Sequence, residues 1–233
     1  MASGEREARE SRAAEPELIT DPQLKAEAEA ANGLRQYDYA VKSVYEALER
    51  QPFKLRVSRI TSFQREALQG ISPYAGLTRP GGIEIKGSKH QPPGAHLMQE
   101  LLEDLCDYVN DHWDATAIHL AAYAMWRLNW IHPFVDGNGR TSRILSLFVL
   151  SVKLGFVLPG TPTFPELVIA HRHAYEDALD LADGACRQDR VDVSAMEALI
   201  ESLLAKQLAH VYDIAGGRAP GASAPALPPP ASG

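Results

Sequence analysis

Most of this chain repeats an apolar side chain every three to four positions, the period of a helix with one buried face. Thr20-Asp21-Pro22 reads as a helix start, with Pro near the first helical position. The Ala/Glu-rich run from Gln23 to Ala31 follows, and Asn32-Gly33 is a candidate stop. A second helix is predicted from about Arg35 to Arg50, with Tyr39, Val41, Val44, Tyr45 and Leu48 on roughly one side and Pro52 ending it. A third covers Ser58 to Leu68. Helical spacing resumes at Leu97 through Leu101, Leu105 and Val109. Two nearly all-apolar segments, Thr116 to Trp130 and Ile144 to Leu154, predict central buried helices. Phe164 to Ala182 reads as one or two helices, and Val193 to Val211 as an amphipathic last one.

Residues 71–96 break this pattern with Gly76, Pro80, Gly81, Gly82, Gly87, Pro92, Pro93 and Gly94. Inside them, Gly82-Ile83-Glu84-Ile85-Lys86-Gly87 alternates apolar and polar positions, as a short strand does. Such a strand is either an exposed edge that pairs with another backbone or part of a small structural hairpin. The ends differ again. Residues 1–18 hold almost no large apolar side chain, and residues 216–233 are nearly all Gly, Ala, Pro and Ser, so both read as disordered tails. The folded part is then a single domain over 20–215, nearly all helical.

Composition narrows the class. The 233 residues are 45% hydrophobic and 23% charged, ordinary globular values. A net charge of −7 gives no nucleic-acid footprint. Cys106 and Cys186 are too few for a disulfide or metal framework and suit reduced thiols. The charged N-terminus carries no apolar leader, and no apolar run reaches the ~18 residues of a membrane span. These features predict a soluble cytoplasmic protein.

Between the two buried helices lies the densest polar stretch, Ile131 to Arg143. Gly137-Asn138-Gly139 can turn sharply and present successive N–H groups just before a helix N-terminus, an anion site. Arg140 and Arg143, three apart, suit phosphate oxygens on the first turn. Asp136 beside a phosphate site suggests Mg²⁺, held by one carboxylate together with phosphate. His132 can take a proton from an incoming hydroxyl. Taken singly, His132 could be a satisfied core histidine, Asn-Gly any turn, and the arginines solvated charges. Within a dozen residues they converge on transfer of a group from a nucleotide. The spacing of a Walker loop is absent, and no parallel strand precedes the loop as a dinucleotide fold requires.

His132-Pro-Phe134-Val-Asp136-Gly137-Asn138-Gly139-Arg140-Thr-Ser-Arg143 resembles the signature of the Fic family, HxFx[DE]GNGRxxR, at every fixed position. Arg79 to His90 followed by Pro92-Pro93 is similar to the Fic flap, and Trp126 to Ile131 to the helix entering the motif. The resemblance spans about residues 24–185. It implies a mainly all-α Fic fold, a helical bundle with a small β-hairpin flap near residues 79–90. It implies transfer of AMP from ATP to a Ser, Thr or Tyr hydroxyl of a target protein. By carry-over His132 is the general base and Asp136 holds Mg²⁺. Gly137, Asn138 and Gly139 form the anion hole, Arg140 and Arg143 hold the distal phosphates, and Phe134 locks the loop in the core. Gly82, Ile83, Glu84 and Ile85 align the target backbone. Tyr175 is either an adenine-pocket residue or a packed aromatic.

Many Fic proteins carry an inhibitory helix with the pattern [ST]xxxE[GN]. Here the helix at about 22–32 stands in its place. Asn32 fits, but Ala31 fills the glutamate slot, Glu27 the Ser/Thr slot, and Glu29 is read on a different face. The resemblance therefore implies a helix whose salt bridge to Arg143 is missing. Three readings remain open: AMP transfer to a target protein or to the chain itself; transfer of another phosphate-linked group, or removal of AMP; and a non-catalytic interaction module. The target and the oligomeric state, a homodimer included, are not legible; no nucleic-acid or membrane partner is expected.

Overall fold

The computed structural model describes residues 9–12, 16 and 18–216. Two short strands, β1 (Glu10–Arg12) and β2 (Glu84–Lys86), accompany eight α-helices among these residues. The helices are α1 (Pro22–Glu49), α2 (Val57–Leu68), α3 (Met98–Asp111), α4 (Ala117–Ile131), α5 (Asn138–Leu154), α6 (Phe164–Ala170), α7 (Arg172–Cys186) and α8 (Ser194–Ile214). No described helix is long and apolar enough to cross a membrane. The tail expected beyond Gly216 lies outside the described residues, as do residues 1–8, 13–15 and 17.

The predominantly helical class holds, and the departures have local causes. Helix α1 runs unbroken through Asn32-Gly33, where a stop and a separate helix at 22–32 were expected. Asp21 starts it, its Oδ1 accepting from the amides of Gln23 and Leu24 at 2.9 and 3.0 Å. Asn32 does not end it because its side chain is used elsewhere. The Asn32 Nδ2 donates to the Ala67 and Gln69 carbonyls at 3.2 and 2.9 Å, satisfying the end of α2. Gly33 then sits mid-helix at a modest cost of about 1 kcal/mol against Ala.

The flap differs from the hairpin expected near 79–90. Only Glu84–Lys86 is a strand there, and its antiparallel partner is β1, with Glu10 opposite Lys86, Ser11 opposite Ile85 and Arg12 opposite Glu84. Composition argued for disorder through residue 18, yet 10–12 are extended and paired. A strand's main-chain hydrogen bonds do not depend on large side chains.

One apolar cluster draws on all eight helices, with α4 and α5 side by side at its centre. Trp126, Phe134, Phe148 and Phe164 are fully buried in it. Gly155 closes α5 in the left-handed region, φ 86°, as a C-terminal glycine should. Cys106 is a buried free thiol pushed up to about 12 by desolvation, and Cys186 is free and half-buried. The α4–α5 pair is therefore a rigid frame, and the six residues between the helices are presented from it.

Candidate active site

Helix α4 ends on His132, a non-glycine residue in the left-handed region at φ 50°. That strained backbone turns the chain out of the core at the motif. Phe134 is fully buried, as the sequence implied, and anchors the loop from below. Asn138 clasps it from within: its Oδ1 accepts from the Phe134 amide at 3.0 Å and its Nδ2 donates to the Phe134 carbonyl at 2.8 Å. The Asn138 side chain is thus a structural clasp, with its backbone at the N-terminus of α5. Gly137 adopts φ 79° at the start of α5, and an added Cβ would sit 3.4 Å from Leu68. A Cβ on Gly139 would meet the Arg143 guanidinium at 3.2 Å. Glycine at 137 is favoured by its positive φ, and a side chain at 139 would need the Arg143 guanidinium to give by a few tenths of an ångström.

His132 is buried with its tautomer fixed. Its Nδ1 lies 3.1 Å from the Asn129 carbonyl, which can only accept, so Nδ1 carries the proton and Nε2 is the basic nitrogen. Desolvation lowers its pKa to about 4. The Asn129 hydrogen bond and Asp136 oppose that shift, while His90 and Arg79 add to it. The imidazole is therefore neutral at physiological pH.

The two arginines differ. Arg143 is partly buried, its pKa lowered by desolvation, with the Tyr175 side chain against its guanidinium. The Tyr175 hydroxyl also accepts from Asn129 Nδ2 at 2.7 Å and lies 3.4 Å from Ser142 Oγ. Tyr175 is thus a buried holder of Arg143 and lines the cavity too. Arg140 is nearer the surface, its Nη2 3.0 Å from Asp136 Oδ2 and 3.7 Å from Glu29 Oε1. Asp136 Oδ1 accepts from the Gly137 amide at 2.5 Å. Glu29 and Ala31 stand on different faces of α1, as read from sequence, and it is the Glu29 face that turns to the loop. Glu29 lies on the stripe of α1 that continues through the buried Asn32, Gln36, Ala40 and Ser43, and it reaches the first motif arginine. Ala31 is exposed.

A cavity of about 260 Å³ opens beside the loop. It brings together His132, Gly139, Arg143 and Tyr175 with Ile85 of the flap, Asn129, Trp130 and His90. Asp136, Gly137, Asn138 and Arg140 lie outside its lining, on the adjoining part of the loop. Gly82, Ile83 and Glu84 stand farther along the flap, with Gly82 and Glu84 exposed. Among the described residues no group of three or more His, Cys, Asp or Glu side chains converges as metal ligands. Asp136, partly exposed at the loop, suits Mg²⁺ only jointly with phosphate oxygens, once Arg140 lets go of it.

Four positioning residues escaped the sequence reading as site residues. Arg79 is buried and spans the flap root: its Nε donates to the His132 carbonyl at 2.8 Å, its Nη1 to the Gly81 carbonyl at 2.6 Å, and its Nη2 to the Pro93 carbonyl. Gln64 ties α2 to the loop, donating to the Asp136 carbonyl at 3.2 Å and accepting from the Gly76 amide at 2.5 Å. Asn129 serves both His132 and Tyr175. His90 bonds the Trp130 carbonyl through Nε2 at 2.7 Å. Its Nδ1 lies 3.7 Å from Asp183, which accepts from Trp126 Nε1 at 2.8 Å. The only local signal for these is a polar residue in an otherwise apolar helix, as at Asn129.

Comparison with known proteins agrees with this geometry. Residues 54–150 match the family model described as Fic/DOC family. A protein adenylyltransferase Fic of Drosophila willistoni is 32% identical over 111 residues, 46% of this chain and 22% of that protein. The chain thus spans under a quarter of that relative's length. Fic-1 from C. elegans shares the fold with a TM-score of 0.61 at 23% identity, over 84% of this chain and 55% of that one. The BepC protein of Bartonella tribocorum, solved with bound AMPPNP, gives a TM-score of 0.56 at 17% identity, over 79% and 88% of the two chains. Fold, motif loop and matched segment coincide: residues 54–150, which hold the motif loop, are similar to the Fic/DOC family, and the chain shares the fold of its solved structures.

Proposed function

We propose that this protein transfers AMP from ATP to a hydroxyl side chain of a target protein. The observation that carries the reading is the state of His132: neutral, with Nδ1 committed to the Asn129 carbonyl, beside the α5 N-terminus and Arg143. The names of the relatives that match it, protein adenylyltransferase Fic, support the same reaction.

The target hydroxyl oxygen attacks the α-phosphorus and the bond to the β-phosphate oxygen breaks. Pyrophosphate leaves, and the hydroxyl proton goes to Nε2 of His132. Burial keeps His132 unprotonated before the step, and its fixed tautomer spares reorientation during it. The backbone of Gly137 to Gly139 and the first turn of α5 face the developing charge, and Arg143 and Arg140 take the leaving phosphates. A Mg²⁺ ion held by Asp136 and the phosphates would supply charge neutralisation there. Phe134 and Asn138 keep the loop from yielding, and Tyr175 keeps Arg143 aimed at the cavity. Ile85, on the flap beside the cavity, sets the main-chain register of the target strand.

The test is incubation of the protein with a lysate, Mg²⁺ and ATP labelled at either the α or the γ position, beside a His132→Ala control. Protein-bound α label that disappears with His132→Ala is expected. Label from the γ-phosphate alone would instead indicate kinase chemistry, and none from either, with partner binding intact, a non-catalytic module.

A further inference from the structure

The flap edge is already occupied. β1 lies antiparallel along β2, so the chain's own residues 10–12 take the main-chain positions that an extended polypeptide would use. A second anchor holds the same segment. The Arg9 guanidinium forms a 2.7 Å ion pair with Asp180 of α7 and is largely buried there. It also lines the cavity that contains His132 and Arg143, and its positive charge acts on Asp183. The segment is therefore fastened at two points, to the flap by backbone and to α7 by charge.

Its hold is limited. Two three-residue strands make a marginal sheet in water. The Arg9 Nε is buried without a hydrogen-bond partner among the described residues, which subtracts from the ion pair. The segment does have the advantage of being tethered to α1, which gives it an effective concentration on the order of millimolar. A freely diffusing strand of equal intrinsic affinity would have to reach that concentration to compete.

We propose that the chain's own residues 9–12 are the resident occupant of the β2 docking edge, and that an extended polypeptide binds the flap only by displacing them. This rests on the reading of the flap as the target-aligning strand. Residues 9–12 then set a threshold: strands that match the edge no better than this segment are excluded. Because Arg9 lines the cavity too, displacing the segment also removes one wall of that cavity.

The test uses the full chain and needs no catalysis. The triple variant Glu10→Pro/Ser11→Pro/Arg12→Pro removes every N–H of β1 while leaving the helical core untouched. Amide hydrogen exchange at Glu84, Ile85 and Lys86 is expected to accelerate about tenfold or more relative to the unaltered protein. A fluorescent peptide copying residues 8–14 of the chain is expected to bind the triple variant at least about tenfold more tightly than the unaltered protein. Arg9→Ala, which removes only the second anchor, should shift both readouts part of the way. Unchanged exchange at 84–86, or equal peptide affinity for both proteins, overturns the proposal. Labelling from α-labelled ATP is read in parallel. If neither protein labels any acceptor, the transferase reading fails while the exchange and peptide readouts still decide who occupies the edge.

Discussion

Arg79 and His132 lie 53 positions apart, and the Nε of the first donates to the main-chain carbonyl of the second at 2.8 Å. The left-handed turn that presents the imidazole is thereby held from the flap side, and the flap root from the motif side. One guanidinium makes the two a single body. Its amide also donates to the Pro133 carbonyl at 2.8 Å, so the contact continues along the chain.

Replacing Arg79 should therefore damage stability and activity together. Arg79→Met leaves the buried carbonyl of His132 and the part-buried hydrogen bonds to the Gly81 and Pro93 carbonyls without this donor. At about 1–3 kcal/mol for an unsatisfied buried group, with relaxation recovering some of it, a loss of about 2–4 kcal/mol is expected. Arg79→Lys should recover little, because a single ammonium cannot reproduce the fork. Chemical denaturation of both variants gives the check; a Lys variant as stable as the parent would refute the spanning role.

The burial of His132 fixes the sign of the pH response. With a pKa of about 4 instead of the ordinary imidazole value, the imidazole stays neutral well below pH 6.5. The acid limb of kcat/KM for ATP-dependent labelling should therefore fall below pH 6. Stability behaves consistently. Between about pH 6.5 and 4 the unfolded chain takes a proton on this residue that the folded protein refuses, so acidification through that window destabilises the fold. His132→Asn should remove this contribution from the pH dependence of stability, as measured by denaturant titration at pH 7 and pH 5. An acid limb centred near 6.5 would contradict the desolvated state.

Tyr175 was read from sequence as an adenine-pocket candidate or a packed aromatic, and its hydroxyl explains its place better than its ring does. Tyr175→Phe keeps the ring and removes the partner of Arg143 and Asn129. A stability loss of about 1 kcal/mol is expected. ATP affinity should weaken several-fold, with a smaller effect on the rate at saturation, as Arg143 loses its fixed direction. Isothermal titration with a non-hydrolysable ATP analogue measures the first effect, and single-turnover labelling the second.

What could be read from sequence was whatever is local. Residues 132–143 are contiguous, so the loop, its glycines and the buried Phe134 were all legible. The all-round apolarity of 116–130 and 144–154 likewise gave the central helix pair. What could not be read depends on distance. The reach of Arg79 to His132, Gln64 to Asp136 and His90 to Asp183 has no trace in local spacing. Nor did β2 announce a partner more than seventy positions upstream, in a stretch whose composition says only that it has no core. Asn32 shows the same limit from the other side. As a local signal Asn-Gly ends a helix, but the carbonyls of Ala67 and Gln69 at the end of α2 recruit its side chain and the helix continues.

The placement of Glu29 leads to a last prediction. Arg140 is shared between Asp136 and Glu29, and both carboxylates must release it before it can serve a phosphate. Glu29 is partly exposed and its contact is 3.7 Å, so its removal should change stability by no more than about 0.5 kcal/mol. Its influence on a phosphate ligand is larger in principle, because a carboxylate near the phosphate site opposes the incoming charge. Glu29→Gln should therefore tighten ATP binding a few-fold, more at low ionic strength than at high, since salt screens an exposed charge. Ala31→Glu adds a carboxylate at an exposed position of the same helix, two residues farther on, and should weaken binding by adding to that repulsion. Comparing ATP affinities of the two variants at low and high salt separates the contact from a general field effect. If Glu29→Gln leaves the affinity unchanged at both, Arg140 is released at no cost, and the helix exerts no control through this contact.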